Sequence, residues 1–576
     1  MKVVLKHGGK WLRFDHPEKV LRAERLDDVM PMLREAEASG CFVAGFISYE
    51  AAPAFDRALS TYPSEGFPLL CLGLFPPPEV LQDIDGATGG GYRVGELTPS
   101  VSKETFVSAI GDIKKRIEEG DTYQVNYTYR LSADFSGDPW ALFCQLVQAQ
   151  KTDYSAFVDT GDYAICSASP ELFFNLESGR IVSRPMKGTA RRGRTLIEDR
   201  EQAERLRQSE KERAENIMIV DMIRNDISRI AELGSVETVS CFDVEKYPTV
   251  WQMTSTVRGV VDAKPSSSEG TFSEVMKNLF PCASITGAPK AKTMEIIHEM
   301  EASPRKIYTG CIGFLSPQGD ACFNVAIRTA LIDPAAHLLE FGVGGGIVWE
   351  SDAEAEFEET LTKARVLTQP RPDYRLLETM LWQPESGIFL LNEHLHRLEE
   401  TSRYFDIPLE VDAVNLAIQR VCQPLEKKEH KIRLLVSRDG AFEVEHYPLQ
   451  SSEETSALVT LAKEPVDSRE VFLFHKTTNR AVYEKARADF PDCDDVILWN
   501  EKGEVTEGSI ANLVIRREGR LVTPPIECGL LAGTFRGFLL QEGEIEASII
   551  SIDDLKDADE IFLINSVRKW RRARLV

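Results

Sequence analysis

The stretch Thr368-Gln369-Pro370-Arg371-Pro372-Asp373 constrains the fold of this chain more than any other. Each proline fixes φ, removes a backbone donor and pushes the residue before it away from helix. Neither a helix nor an interior strand runs through such a stretch, so it reads as a boundary between globular units. With 576 residues the chain exceeds what one core can organise. The expected division is residues 1–368, a linker at 369–373 and residues 374–576. A composition of 43% hydrophobic and 27% charged residues is that of an ordinary globular protein. The formal charge of -24 argues against nucleic acid or an anionic membrane surface as the main partner, so an anionic substrate needs locally basic pockets. Eleven cysteines without a Cys-x-x-Cys pair supply no zinc or disulfide framework and suit a reducing compartment. Met1 to Phe14 holds no long apolar run, and the expectation is a cytoplasmic protein with no membrane partner.

Taken in order, the first part opens with short apolar strands, a helix near Leu26 to Glu37 and a buried strand from Phe42 to Tyr49. Pro76-Pro77-Pro78 and the glycine-rich run from Gly86 to Gly91 read as an exposed connector. Ser102 through Glu119 is amphipathic and ends at Gly120, leading into the alternating strand Tyr123-Gln124-Val125-Asn126-Tyr127-Thr128. One long helix is expected between Asp199 and Ile230. On it Glu212 and Glu215 share a face, which by spacing alone reads as a solvated surface answered by Arg205 and Arg213. Glu356 and Glu359 repeat the spacing on a second helix. Carboxylates from two helices, completed by water and an anionic substrate, are a donor set that Mg²⁺ accepts.

Arg184-Pro185-Met186-Lys187-Gly188-Thr189, with Arg191 and Arg192 following and Ser169-Pro170-Glu171 preceding, holds a lysine between a residue that fixes φ and one that frees it. Three neighbouring arginines would disfavour the ammonium and leave a nucleophilic amine. The plain reading is a strand end running into a basic surface turn.

Pro185 to Thr189 resembles the Pro-Ile-Lys-Gly-Thr signature of the aminodeoxychorismate synthase component I branch of the chorismate-utilising enzymes, whose anthranilate-forming relatives carry alanine at the lysine. Tyr123 to Asn126, Asp221-Met222-Ile223-Arg224-Asn225-Asp226, Thr286-Gly287-Ala288-Pro289-Lys290, Arg305 to Gly313, Ile327-Arg328-Thr329 and Gly344 to Val348 resemble that family's segments in the same order. The resemblance implies Lys187 as nucleophile and Glu171 as general acid. It makes Glu215 and Glu359 the Mg²⁺ ligands, with Glu212 and Glu356 beside them. Tyr308 and Arg328 would hold the enolpyruvyl carboxylate of chorismate under the backbone of Gly344, Gly345 and Gly346, with Thr286 and Lys363 also at the substrate. Gln252 stands where the anthranilate-forming relatives have histidine, the natural proton carrier for eliminating pyruvate.

Beyond the boundary, His394-Leu395-His396-Arg397-Leu398 offers two histidines without a third metal ligand. It is similar to a segment of fold-type IV pyridoxal-phosphate enzymes in which Arg397 would meet the cofactor phosphate. Phe472-Leu473-Phe474-His475-Lys476 sets a lysine behind an apolar strand, where burial would lower its pKa as a Schiff-base lysine needs. The resemblance pairs Glu507 with the pyridinium nitrogen, adds Ser509 and Ile510 to the cofactor site, and seats the phosphate at Gly533 and Thr534, at the start of a helix. Thr379 aligns with the active-site threonine of aminodeoxychorismate lyase, although branched-chain and D-amino-acid aminotransferases share most of these motifs.

The expected fold class is α+β: a chorismate-utilising-enzyme α/β sandwich followed by a fold-type IV, aminotransferase class IV-like domain. The implied activity is synthesis of 4-aminobenzoate for folate, by amination of chorismate and then pyridoxal 5'-phosphate-dependent elimination of pyruvate. An anthranilate- or salicylate-type enzyme fused to an amino-acid aminotransferase is the alternative. No nucleophile-elbow cysteine with matched histidine and glutamate is evident, so ammonia is expected from a separate glutamine amidotransferase subunit. A homodimer through the second domain is the expected assembly.

Overall fold

The computed structural model describes residues 1–84, 90–261, 270–368, 372–425, 428–449 and 456–576. Residues 86–89 of the glycine-rich connector and 369–371 of the proline-punctuated stretch lie outside them. The chain divides into two compact units. Met1–Arg191 with Ala203–Arg371 forms the first, and Arg192–Gln202 with Pro372–Val576 forms the second.

The first unit is a four-layer sandwich built on two antiparallel sheets, of 11 and 10 strands among the described residues. Val3, Phe14, Ala156 and Leu331 of one sheet meet Ala44, Phe46, Phe75 and Ile312 of the other in a shared interior. Helices cover both outer faces, through Phe106, Ile110, Leu142 and Phe357 on the first sheet and Val29, Leu33, Ile219 and Ile223 on the second. Because each sheet is buried on both sides, strands such as Leu70–Phe75 are apolar throughout rather than alternating. The helix Lys103–Glu118 starts where Ser102 accepts from the Thr105 N–H at 3.2 Å, and Gly120 leaves it at φ 80.

The single helix expected from Asp199 to Ile230 is two, Leu196–Gln208 and Glu210–Ser228. Ser209 between them is extended and its hydroxyl accepts from the Glu212 N–H at 3.3 Å. A serine that can cap its own chain restarts the helix instead of continuing it.

In the second unit a four-stranded sheet carries the helices Leu391–Phe405 and Val411–Cys422 on one side, packed through Leu376, Leu398, Val414 and Ile432. An eight-stranded sheet closes on itself, because Val505–Gly508 pairs both with Asp495–Trp499 and with Asn512–Arg517. Val459, Ile497, Leu513 and Leu563 fill its interior. The apolar run before Lys476 is not the expected strand. Val471–Leu473 is a short 3₁₀ turn, started by the Glu470 side chain accepting from the Phe472 N–H. Among the described residues no helix is long and apolar enough to cross a membrane.

Candidate active sites

The first unit holds a cavity of ≈ 250 Å³. Lys187 enters it from the strand Met186–Arg191, whose pairing with Val250–Val260 slips between Met186 and Thr189. Gly188 at φ 102 makes that slip, a conformation an L side chain would resist. Three contacts fix the bulge: Gln252 Nε2 donates to the Gly188 carbonyl at 2.8 Å, Thr189 Oγ1 donates to Gln252 Oε1 at 3.0 Å, and Asn216 Nδ2 donates to the Lys187 carbonyl at 3.1 Å.

The charges around Lys187 are not those expected from its sequence neighbours. Arg184 pairs with Glu245, and Arg192 with Asp199 in the second unit. Lys187 Nζ instead meets Glu215 at 3.0 Å. Arg184 and Arg192 are taken up by carboxylates of their own, while two helices bring carboxylates to the lysine.

Glu212 and Glu215 from one helix and Glu356 and Glu359 from another line this same cavity. Burial raises Glu212, with Glu215 adding to the shift, and burial raises Glu356. Lys363, bonded to Glu359 at 2.9 Å, holds Glu359 below its ordinary value. No three His, Cys, Asp or Glu among the described residues form a ready metal cage. Two pairs of hard carboxylate oxygens across an open cavity nevertheless fit Mg²⁺, which keeps water and substrate oxygens in its shell.

Glu171 is fully buried at the cavity wall, and burial pushes it up to about 7. Its Oε1 has no hydrogen-bond partner. Arg328, at φ 51, donates to the Lys363 carbonyl at 3.2 Å, and Tyr308 lies against Gly342. Gly344, Gly345 and Gly346 pair with Thr128, Tyr127 and Asn126. Their missing side chains matter as much as their N–H groups. A Cβ on Gly346 would overlap Lys187 Nζ, and one on Gly345 would press on Glu356 Oε2 at 3.1 Å. Lys363 Nζ donates to the Gly344 carbonyl at 2.8 Å. Thr286 does not line the cavity, since its hydroxyl turns to the carbonyls of Cys282 and Ala283 at 3.4 and 3.2 Å.

Gln124, whose role its place in the sequence left open, stands just behind the cavity wall. It is 2% exposed, neither amide atom has a partner, and its Nε2 lies against Gly346 beside Lys187. The signal was present: in Gln124, Asn126 and Thr128 every second residue of a buried strand is polar, a pattern that marks the face turned to chemistry.

In the second unit a smaller cavity of ≈ 60 Å³ is lined by Arg397, Lys476, Glu507, Ser509, Ile510, Gly533 and Thr534 among others. Burial, then the charge of Arg397, brings Lys476 down to about 8. Burial lifts Glu507 to about 7, while Tyr483 OH at 2.8 Å, the Leu531 N–H at 3.1 Å and Asn512 Nδ2 at 3.0 Å all donate to it. Arg397 is held in two-toothed contact by Glu378 at 2.9 and 2.7 Å, and the same carboxylate binds His394 Nδ1 at 2.7 Å. Gly533 caps the helix Thr534–Gln541 where any side chain would strike Asn512. Thr379 is not in the cavity wall; its carbonyl accepts from Ser566, which is. A lysine near neutrality, a buried carboxyl group, and a helix start beside an arginine fit pyridoxal 5'-phosphate at this site.

The chorismate binding enzyme family model matches residues 6–369. The chain belongs to the chorismate binding enzyme family. Residues 375–576 match the amino-transferase class IV model. Aminodeoxychorismate synthase component 1 of Salmonella typhimurium is 42% identical over 254 residues, covering 44% of this chain and 54% of that protein. Anthranilate synthase component 1 of Aquifex aeolicus is 38% identical over 46% of this chain and 52% of its own length. The chain thus spans about half the length of these curated relatives. The solved anthranilate synthase component I of Streptococcus pneumoniae shares the fold, with TM-score 0.54 and 24% identity over 64% of this chain and 92% of that one.

Proposed function

We propose that the chain makes 4-aminobenzoate from chorismate in two steps, amination to 4-amino-4-deoxychorismate in the first unit and release of pyruvate in the second. The observation that carries the reading is Lys187, half-buried in one cavity with Glu171, at the position where the resemblance puts alanine in the anthranilate-forming relatives. Arg328 and Tyr308 bind the enolpyruvyl carboxylate. Glu215 and Glu359, with Glu212 and Glu356 beside them, would hold Mg²⁺, which when bound would supply positive charge to the ring carboxylate. The Lys187 nitrogen bonds to the ring as the bond to the 4-hydroxyl breaks, and Glu171 delivers the proton with which that group leaves as water. Ammonia then adds and the bond to Lys187 breaks, so the net exchange is ammonia in and water out. The ammonia is drawn from a separate glutamine amidotransferase subunit, or from free ammonium at high concentration. Gln252, committed to the Gly188 carbonyl and lacking an imidazole's proton-carrying capacity, leaves the enolpyruvyl group in place at this stage.

In the second unit pyridoxal 5'-phosphate, when bound, supplies an electron sink for the carbon that carries the new amine. Glu507 would hold the ring nitrogen's end, while Arg397 and the start of the helix Thr534–Gln541 would take the phosphate. Lys476 would anchor the group and, as the free amine, takes the ring proton. As that proton leaves, the bond to the enolpyruvyl oxygen breaks and the ring becomes aromatic; Lys476 then passes the proton to the enolpyruvate, which departs as pyruvate.

Purified protein given chorismate, Mg²⁺, pyridoxal 5'-phosphate and ammonium is expected to yield 4-aminobenzoate and pyruvate with no 2-oxo acid present. An obligatory 2-oxo acid would make the second unit an aminotransferase, and anthranilate as product would make the first an anthranilate synthase.

A pH dependence follows from Glu171. Its general-acid form is the protonated one and burial places its midpoint near 7, so kcat/KM for amination is expected to fall as pH rises through about 7. Glu171→Gln, which cannot give up a proton, is expected to lose on the order of 10² to 10⁴-fold in rate and to lose that limb of the profile. A rate profile for Glu171→Gln that overlays the wild type would remove Glu171 from the role.

A further inference from the structure

The segment Arg192–Gln202 lies in sequence within the span matched by the chorismate binding enzyme model, five residues beyond Lys187, yet it is part of the second unit. Its attachment there is detailed. Arg192 forms a two-toothed pair with Asp199 at 2.6 and 2.8 Å, donates to the Tyr404 carbonyl at 3.0 Å, and lies 4.6 Å over the Tyr404 ring. Both charged side chains are almost completely buried. The Gly193 N–H donates to Asp199 Oδ1 at 2.9 Å, and Tyr404 OH donates to the Gly193 carbonyl at 2.7 Å. A Cβ at residue 193 would collide with the backbone of Asp199, so the turn requires glycine. Leu196 enters the core with Tyr374, Tyr404 and Phe405. Arg194 reaches the carbonyls of Ser468 and Glu527 at 3.4 and 3.2 Å.

The segment also touches the residue next to the cofactor lysine. His475 Nε2 lies 3.0 Å from the Arg194 carbonyl and Nδ1 lies 3.3 Å from Thr401 Oγ1. Its ring is 4.2 Å from that of Tyr404. A carbonyl only accepts, so Nε2 carries the hydrogen. His475 is thereby pinned on one side by the borrowed segment and on the other by the helix Leu391–Phe405. Lys476 follows it directly, its carbonyl accepting from the Leu377 N–H at 3.0 Å.

We propose that Arg192–Gln202 is a positioning element for Lys476, holding the cofactor lysine through His475, so that the second site depends on sequence contributed by the first half of the chain. The class IV match, which begins at residue 375, omits this element. The proposal rests on the reading of Lys476 as the lysine that carries pyridoxal 5'-phosphate.

The test uses the full-length chain and the visible absorbance of bound cofactor, titrated with pyridoxal 5'-phosphate and with pH, alongside circular dichroism. His475→Leu removes the donor to Arg194, His475→Gln keeps one, and Arg192→Ala releases the segment without touching residues 475 or 476. His475→Leu and Arg192→Ala are expected to bind cofactor at least tenfold more weakly and to shift the pH midpoint of the absorbance band, with His475→Gln within about threefold of wild type. Should His475→Leu fail to fold, Arg192→Ala and His475→Gln still decide the matter. Wild-type affinity and an unmoved midpoint in Arg192→Ala would overturn the proposal. A wild-type chain that binds no cofactor would instead overturn the reading of Lys476, and the proposal with it.

Discussion

Lys187→Ala is expected to lower ammonium-dependent amination of chorismate by on the order of 10³-fold or more, with substrate affinity changed far less. Removing a covalent nucleophile deletes a whole reaction path, and such losses greatly exceed those from a single hydrogen bond. The binding elements survive the change, because Arg328 and Tyr308 stand on separate connecting segments and the four glutamates on two helices. Lys187 pairs with Glu215 at 3.0 Å, so alanine also strips a positive charge from the carboxylates. Lys187→Arg separates the two effects, since it keeps the charge but offers no nucleophilic amine. Both variants are expected to be equally inactive when the amino product is followed by chromatography. An arginine variant within tenfold of wild type would assign the lysine an electrostatic role alone.

The second large effect belongs to Lys476→Ala. Formation of 4-aminobenzoate is expected to fall by on the order of 10³-fold or more while 4-amino-4-deoxychorismate accumulates at the wild-type rate. The visible absorbance of the lysine-bound cofactor should disappear at the same time. Burial and the neighbouring Arg397 bring Lys476 down to about 8, so about a tenth of its amine is free at pH 7, far more than for an ordinary lysine. Among the described residues no other lysine lines this cavity to replace it. Undiminished pyruvate release by the variant would place the elimination somewhere other than the second unit.

Much of each candidate site was legible in the sequence. Pro185 and Gly188 around Lys187 announced an aimed side chain, and the bulge at φ 102 is the local geometry behind that signal. The repeated spacing of Glu212 with Glu215 and Glu356 with Glu359 located two acidic helix faces, because side chains three apart on a helix share a side. What spacing could not show is that the two faces turn toward one cavity, and that Lys187 answers them in place of Arg205 or Arg213. The arginines near Lys187 misled for the same reason: Arg184 and Arg192 are taken up by Glu245 and Asp199, and nearness along the chain is not nearness in space. Gln124 escaped assignment because an amide without a partner is a property of its surroundings, created only when Gly346 and Lys187 are brought beside it.

The sequence by itself determined which residue types stand at strand edges, helix faces and tight turns, since helical and extended periodicities and the φ limits of proline and glycine act within a few residues. Tertiary structure alone decided what shares a cavity. It put carboxylates from separate helices around Lys187, raised Glu171 and lowered Lys476 by burial, and assigned Arg192–Gln202 to the second unit. Desolvation and long-range packing depend on segments hundreds of residues apart, and no local pattern along the chain carries that information.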